Sequence, residues 1–103
     1  MELNQERERF LKYKKKLIEI INKNLPGCKI YLFGSRARGD YSLGADIDLA
    51  LDVGNPIDIN IISELKDEIS ETNIPLFVDL VDLWSASEKF KKEVESQGIL
   101  WEN

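Results

Sequence analysis

The chain has 103 residues, 43% hydrophobic and 32% charged, enough apolar sequence for one compact core and too little for two. It contains no histidine and one cysteine, which excludes imidazole acid/base chemistry, His-dependent triads, an internal disulfide and a Cys-Cys zinc pair, and suits a reducing compartment. Nineteen acidic against 14 basic side chains give a net charge of -5, which opposes broad wrapping of nucleic acid.

From Glu6 to Asn24, apolar residues at Phe10, Tyr13, Leu17, Ile20 and Ile21 follow helical spacing, and Pro26-Gly27 ends the helix. Lys12, Lys14, Lys15 and Lys16 on it read as a solvated face. Lys29 to Phe33 is a buried strand, closed by a turn at Gly34, and Ser35 to Gly44 is a polar, basic loop with room for one helical turn. Asp46 to Val53 alternates as a second strand, with Ile47, Leu49, Leu51 and Val53 on one side and Asp46, Asp48, Ala50 and Asp52 on the other. Asn55 as cap and Pro56 at the first helical position begin a helix with Ile62, Leu65 and Ile69 inward, ending near Thr72. Leu76 to Leu83 is a third strand. Ser85-Ala86-Ser87-Glu88 has capping-box spacing and opens a last helix with Phe90 and Val94 inward and Gly98 as its stop, followed by the apolar tail Ile99-Leu100-Trp101, a candidate short strand. The expectation is one α/β or α+β domain over residues 1–103, with no repeat and no linker. The amino terminus is too charged for a secretory signal and no apolar run approaches a membrane span, so the expected location is cytoplasmic, with no membrane partner.

The chemistry lies in Gly34-Ser35, then Asp46-Ile47-Asp48, then a carboxylate on the following strand. Residues two apart on a strand share a face at about 6.6 Å along it, so Asp46 and Asp48 can reach the same cations. A third carboxylate can arrive from an adjacent strand. Asp79 shares its face with Phe77 and Val81, while Asp82 falls in the apolar row of Leu76, Val78 and Leu80, so Asp79 is the preferred third ligand and Asp82 the alternative. Three crowded carboxylates repel unless divalent metal compensates them, and oxygen-only ligands favour magnesium, or manganese, over zinc. A Gly-Ser turn leaving a strand lets backbone N–H groups approach phosphates, and Arg36 and Arg38 just after it are candidate phosphate contacts. Gly34 and Gly39 have the gap of a P-loop, but Asp40 and Tyr41 stand where that motif requires lysine and Ser/Thr.

In Phe33-Gly34-Ser35-Arg36-Ala37-Arg38-Gly39, Ala45-Asp46-Ile47-Asp48-Leu49 and Val78-Asp79-Leu80-Val81-Asp82-Leu83 the sequence resembles the minimal nucleotidyltransferases of the DNA polymerase beta-like superfamily. The resemblance spans nearly the whole chain and implies that family's fold, a small mixed sheet packed against helices. It implies nucleotidyl transfer from a nucleoside triphosphate with two magnesium ions (manganese as the alternative), with Asp46, Asp48 and the third carboxylate, Asp79, as metal ligands and catalytic residues. Gly34 and Ser35 would hold the triphosphate tail. Many relatives carry serine before the first aspartate, where this chain has Ala45. The resemblance further implies ATP as substrate and, as partner, a HEPN-type toxin whose tyrosine is adenylylated, the chain serving as its antitoxin. A non-catalytic antitoxin that neutralises its partner by complex formation is the alternative, and nucleotidylation of RNA or a small molecule, or an oligomeric site, are others.

Overall fold

The computed structural model describes residues 2–102, so Met1 and Asn103, the ends of the expected domain, lie outside the described residues. In chain order the elements are α1 (Glu2–Asn24), β1 (Lys29–Phe33), α2 (Ser35–Arg38), β2 (Ile47–Asp52), α3 (Ile59–Ser70), β3 (Val78–Asp82), α4 (Glu88–Gln97) and β4 (Ile99–Glu102). The expected class is found: a mixed four-stranded sheet of order β3-β2-β1-β4 between helices, with β1 antiparallel to β2 and β4 and with β2 parallel to β3.

The heptad-like stripe of α1 delivers Leu17, Ile20 and Ile21 to one face of the sheet, and α3 adds Leu65 and Ile69. They meet Ile30 and Leu32 of β1, Ile47, Leu49 and Leu51 of β2, and Leu80 of β3. The other face is thinner: Ala50, Leu83 and Val94 are buried there, with Tyr31, Phe33 and Phe90 packed around them. Burying a Leu or Ile side chain is worth roughly 1.5–3 kcal/mol, so the two-residue alternation of β2 fixes its register. A slip by one residue would carry Ile47, Leu49 and Leu51 out of the core and Asp48 into it. The sequence alternation thereby decides on which face the acidic residues stand. At the far end of α1, Lys23 Nζ meets Glu68 Oε2 at 2.6 Å and Asn24 donates to Glu68 Oε1 at 3.2 Å, tying α1 to α3.

Several boundaries differ from expectation. Asn55 and Pro56 do not start α3; Asp58 caps it, accepting from the Asn60 N–H at 2.8 Å. The Ile57 N–H is instead drawn to Asp82 Oδ2 at 3.0 Å, which holds residues 56–57 outside the helix. Ser87, not Ser85, caps α4 by accepting from the Phe90 N–H at 3.1 Å, because the Ser85 hydroxyl donates to Asp82 Oδ2 at 2.8 Å. Gly98 stops α4 in an extended conformation, φ -73 and ψ 156, not in the left-handed one usual for a terminating glycine. The apolar tail forms a strand, but Ile99 and Leu100 remain exposed and only Trp101 packs inward, edge-on to Phe10 with ring centroids 6.0 Å apart. Among the described residues no helix is long and apolar enough to cross a membrane.

Candidate active site

The chain reverses direction between β1 and β2 and runs parallel from β2 to β3, so the end of β1 and the starts of β2 and β3 meet at one end of the sheet. Asp48 is the centre of that end. Its register partners are Phe33 on β1 and Asp79 on β3, and Asp46, two residues earlier, belongs to the same face. This is the face opposite the α1/α3 core. Ile47 donates its N–H to the Phe77 carbonyl at 2.9 Å, extending the β2–β3 pairing to the base of Asp46.

Asp48 feels both of its acidic neighbours. Burial raises the Asp48 carboxyl above the ordinary aspartate range, the negative charges of Asp79 and then Asp46 raise it further, and Arg38 opposes them. A group in that state is stabilised by any cation placed beside it. Among the described residues, no group of three His, Cys, Asp or Glu side chains stands close enough to hold a metal ion, so Asp46, Asp48 and Asp79 mark an acidic notch at this end of the sheet and not a formed three-ligand site. Magnesium is ordinarily held in this way, by one or two carboxylates completed by substrate phosphates and water. The all-oxygen donor set and its unneutralised charge fit such an ion.

Gly34 explains how backbone comes so close to the notch. Its φ of 75 and ψ of -156 lie in a region essentially restricted to glycine, and a Cβ there would overlap Asp48 Oδ2 and stand 3.3 Å from its Cγ. The following turn is the short helix α2, closed by bonds from the Ala37 and Arg38 N–H groups to the Gly34 carbonyl, both 3.1 Å. The N–H groups of Ser35 and Arg36 begin the helix and so have no acceptor within it.

The two loop arginines part company. Arg38 is exposed, donates to Asp40 Oδ2 at 3.2 Å, and is the cation that acts on Asp48. Arg36, expected beside phosphate, is instead buried: its guanidinium lies 4.9 Å from the Phe10 ring and 4.7 Å from the Tyr41 ring, and its Nε donates to the Ala45 carbonyl at 3.0 Å. It also lines a cavity of about 340 Å³ with Phe10, Tyr13, Leu43, Pro75 and Leu76, on the α1 side and away from the carboxylates. Arg36 therefore ties the loop ahead of Asp46 to α1. Sequence reading missed this clamp; a helical stripe gives no sign that Phe10 will serve as a platform for a loop arginine.

Asp82 stands on the other face, as the apolar row implied, and its carboxylate accepts from the Ile57 N–H at 3.0 Å, the Trp84 N–H at 3.1 Å and the Ser85 hydroxyl at 2.8 Å. Those bonds compensate its charge within the fold. Register sets Asp79, not Asp82, beside Asp48.

Comparison with known proteins gives the chain's family. The chain is 36% identical over 88 residues to the protein adenylyltransferase MntA of Shewanella oneidensis, covering 84% of this chain and 63% of that protein. It spans about 64% and 63% of the length of the curated relatives it matches. A chain of a toxin-antitoxin crystal structure with AMP-PNP superposes with a TM-score of 0.73 at 34% identity, covering 85% of this chain and 71% of that one. A structure of a tri-AMPylated Shewanella oneidensis HEPN toxin in complex with MNT antitoxin gives 0.68 at 32% identity, covering 86% and 68%. Residues 15–101 match the family described as polymerase beta, nucleotidyltransferase, a span that takes in the glycine turn and all three aspartates, and the chain belongs to that family.

Proposed function

We propose that the chain is a nucleotidyltransferase that uses magnesium, or manganese, to transfer AMP from ATP to a tyrosine hydroxyl of a HEPN-type partner, as an antitoxin, with residues 1–103 acting as one catalytic domain. The observation that carries the reading is Asp48 held between Asp79 and a glycine turn so close that only hydrogen fits in place of a side chain. The relatives named for protein adenylylation, and the related assemblies with AMP-PNP and with an AMPylated toxin, support the substrate and the partner.

Asp46, just before β2, and Asp48, on it, stand two residues apart and would hold the divalent cations, with Asp79 completing the set from β3. When bound, two such cations supply positive charge to the oxygens entering and leaving the α-phosphorus. Gly34 and Ser35 present backbone N–H groups to the triphosphate tail, and Arg38 adds a guanidinium there. The acceptor hydroxyl gives up its proton towards the Asp79 carboxylate or solvent, and its oxygen bonds to the α-phosphorus. The bond to the bridging oxygen breaks, and pyrophosphate leaves on the opposite side, toward the turn. Arg36 takes no part in this contact; it steadies the loop that leads into Asp46. Buried Cys28, a lone thiol, suits the reducing cytoplasm as the place of action.

The test is incubation of the chain with ATP, magnesium and a HEPN-type partner, followed by intact-mass measurement. The partner gains whole AMP units, and Asp48→Asn abolishes the gain. A partner that is bound and neutralised with no change in mass would sink the enzymatic reading in favour of a non-catalytic antitoxin.

A further inference from the structure

Phe77 is 68% exposed although it sits directly before a sheet strand, and no core contact accounts for it. Leu76, Val78 and Leu80 all pack into the α1/α3 core, so alternation turns Phe77, just before β3, to the face of the acidic notch, in line with Asp79 and level with Asp46, just before β2. Phe77 thus stands beside the notch at the free edge of the sheet, just before β3.

The layout of the sheet says what arrives there. The glycine turn that receives the leaving pyrophosphate follows β1, Asp46 and Asp48 lie in the middle at the start of β2, and β3 forms the outer edge. In-line displacement brings the nucleophile to the side of the α-phosphorus opposite the leaving group. With the leaving group toward β1, the nucleophile enters over β3, beside Asp79 and Phe77. We infer that Phe77 is the acceptor-side specificity residue of this site, packing against the aromatic ring that carries the incoming hydroxyl and thereby favouring a phenolic acceptor over an aliphatic one. This rests on the nucleotidyl-transfer reading above. Ring pairs favour edge-to-face or offset contact, and removing one partner exposes the other ring to water.

The experiment compares wild type, Phe77→Ala and Phe77→Trp with ATP, magnesium and a HEPN-type partner, reading rates by intact mass, while binding of AMP-PNP is titrated without partner. Circular dichroism checks that each variant folds. The inference predicts that Phe77→Ala lowers kcat/KM for the acceptor by about tenfold with AMP-PNP affinity unchanged, and that Phe77→Trp restores most of it. Equal acceptor kinetics in wild type and Phe77→Ala would overturn it. So would a loss confined to AMP-PNP affinity, which would make Phe77 a base-stacking residue. Both outcomes leave nucleotidyl transfer intact, whereas failure of wild type to modify the partner at all would remove the underlying reading and this inference together.

Discussion

Substituting Gly34 by alanine probes the closeness of backbone and carboxylate. Two costs combine. The first is conformational: φ 75 with ψ -156 is a region that L-residues occupy at a penalty of about 1–3 kcal/mol. The second is steric, because the new methyl overlaps Asp48 Oδ2 and the aspartate must leave its rotamer, at about 0.5–1.5 kcal/mol. Together they take roughly 2–4 kcal/mol from a domain whose total is about 5–15 kcal/mol, so the variant folds but melts about 10–20 °C lower. Gly39 is the control: its φ is 86 and nothing lies within 4 Å of an added Cβ, so Gly39→Ala pays only the left-handed penalty of about 1–2 kcal/mol. Thermal melts of both variants, alone and in an Asp48→Ala background, isolate the steric share. It disappears when the carboxylate is gone, so Gly34→Ala costs less in that background by about 1 kcal/mol. Equal cost in both backgrounds would refute the claim that glycine is required there to admit the carboxylate.

Arg36→Lys keeps the charge but loses the planar stack between Phe10 and Tyr41 and the fixed Nε donor to Ala45, so it lowers kcat through a looser Asp46 while leaving KM for ATP nearly unchanged; a rise confined to KM would mean that the guanidinium grips phosphate after all. Asp82→Ala releases three hydrogen-bond donors and destabilises the fold by about 2 kcal/mol in denaturant titration, yet leaves cation-dependent nucleotide binding in place. Loss of that binding would return Asp82 to the ligand set. Burial pushes the Cys28 thiol from 9.0 up to about 11, so the folded state retains a proton that the unfolded state gives up. The stability this contributes is whole below pH 9.0 and is lost as the pH rises toward about 11. Denaturant melts across that range should fall more steeply for wild type than for Cys28→Ala, and parallel curves would contradict the assignment.

Where the sequence was legible, one period decided the matter. The alternation from Ile47 to Val53 separated core from acidic face, and the same parity placed Asp79 with the notch and Asp82 against the core before any pairing was known. Strand order was not legible, because a parallel β2–β3 pair and an antiparallel return by the chain's last strand leave no mark on local pattern. The helix starts were misjudged for a related reason. Asn55-Pro56 and Ser85 both have the chemistry of caps, but Asp82, distant in sequence from the first and on another element from both, bonds to the Ile57 N–H and the Ser85 hydroxyl and displaces each start. Arg36 illustrates the same limit, since an arginine just after a glycine turn reads as a phosphate contact until a helix supplies Phe10 and the loop itself folds Tyr41 over its other side.

At the centre of the account is Asp48, crowded by the charges of Asp79 and Asp46, a repulsion that a divalent cation relieves. Titrating AMP-PNP into wild type and the Asp48→Asn and Asp79→Asn variants, with manganese or with chelator, tests this most directly. Tight binding by wild type only when the cation is present, and loss of that dependence in both variants, is the predicted result; nucleotide affinity that is the same with chelator as with manganese, or the same in all three proteins, would contradict it.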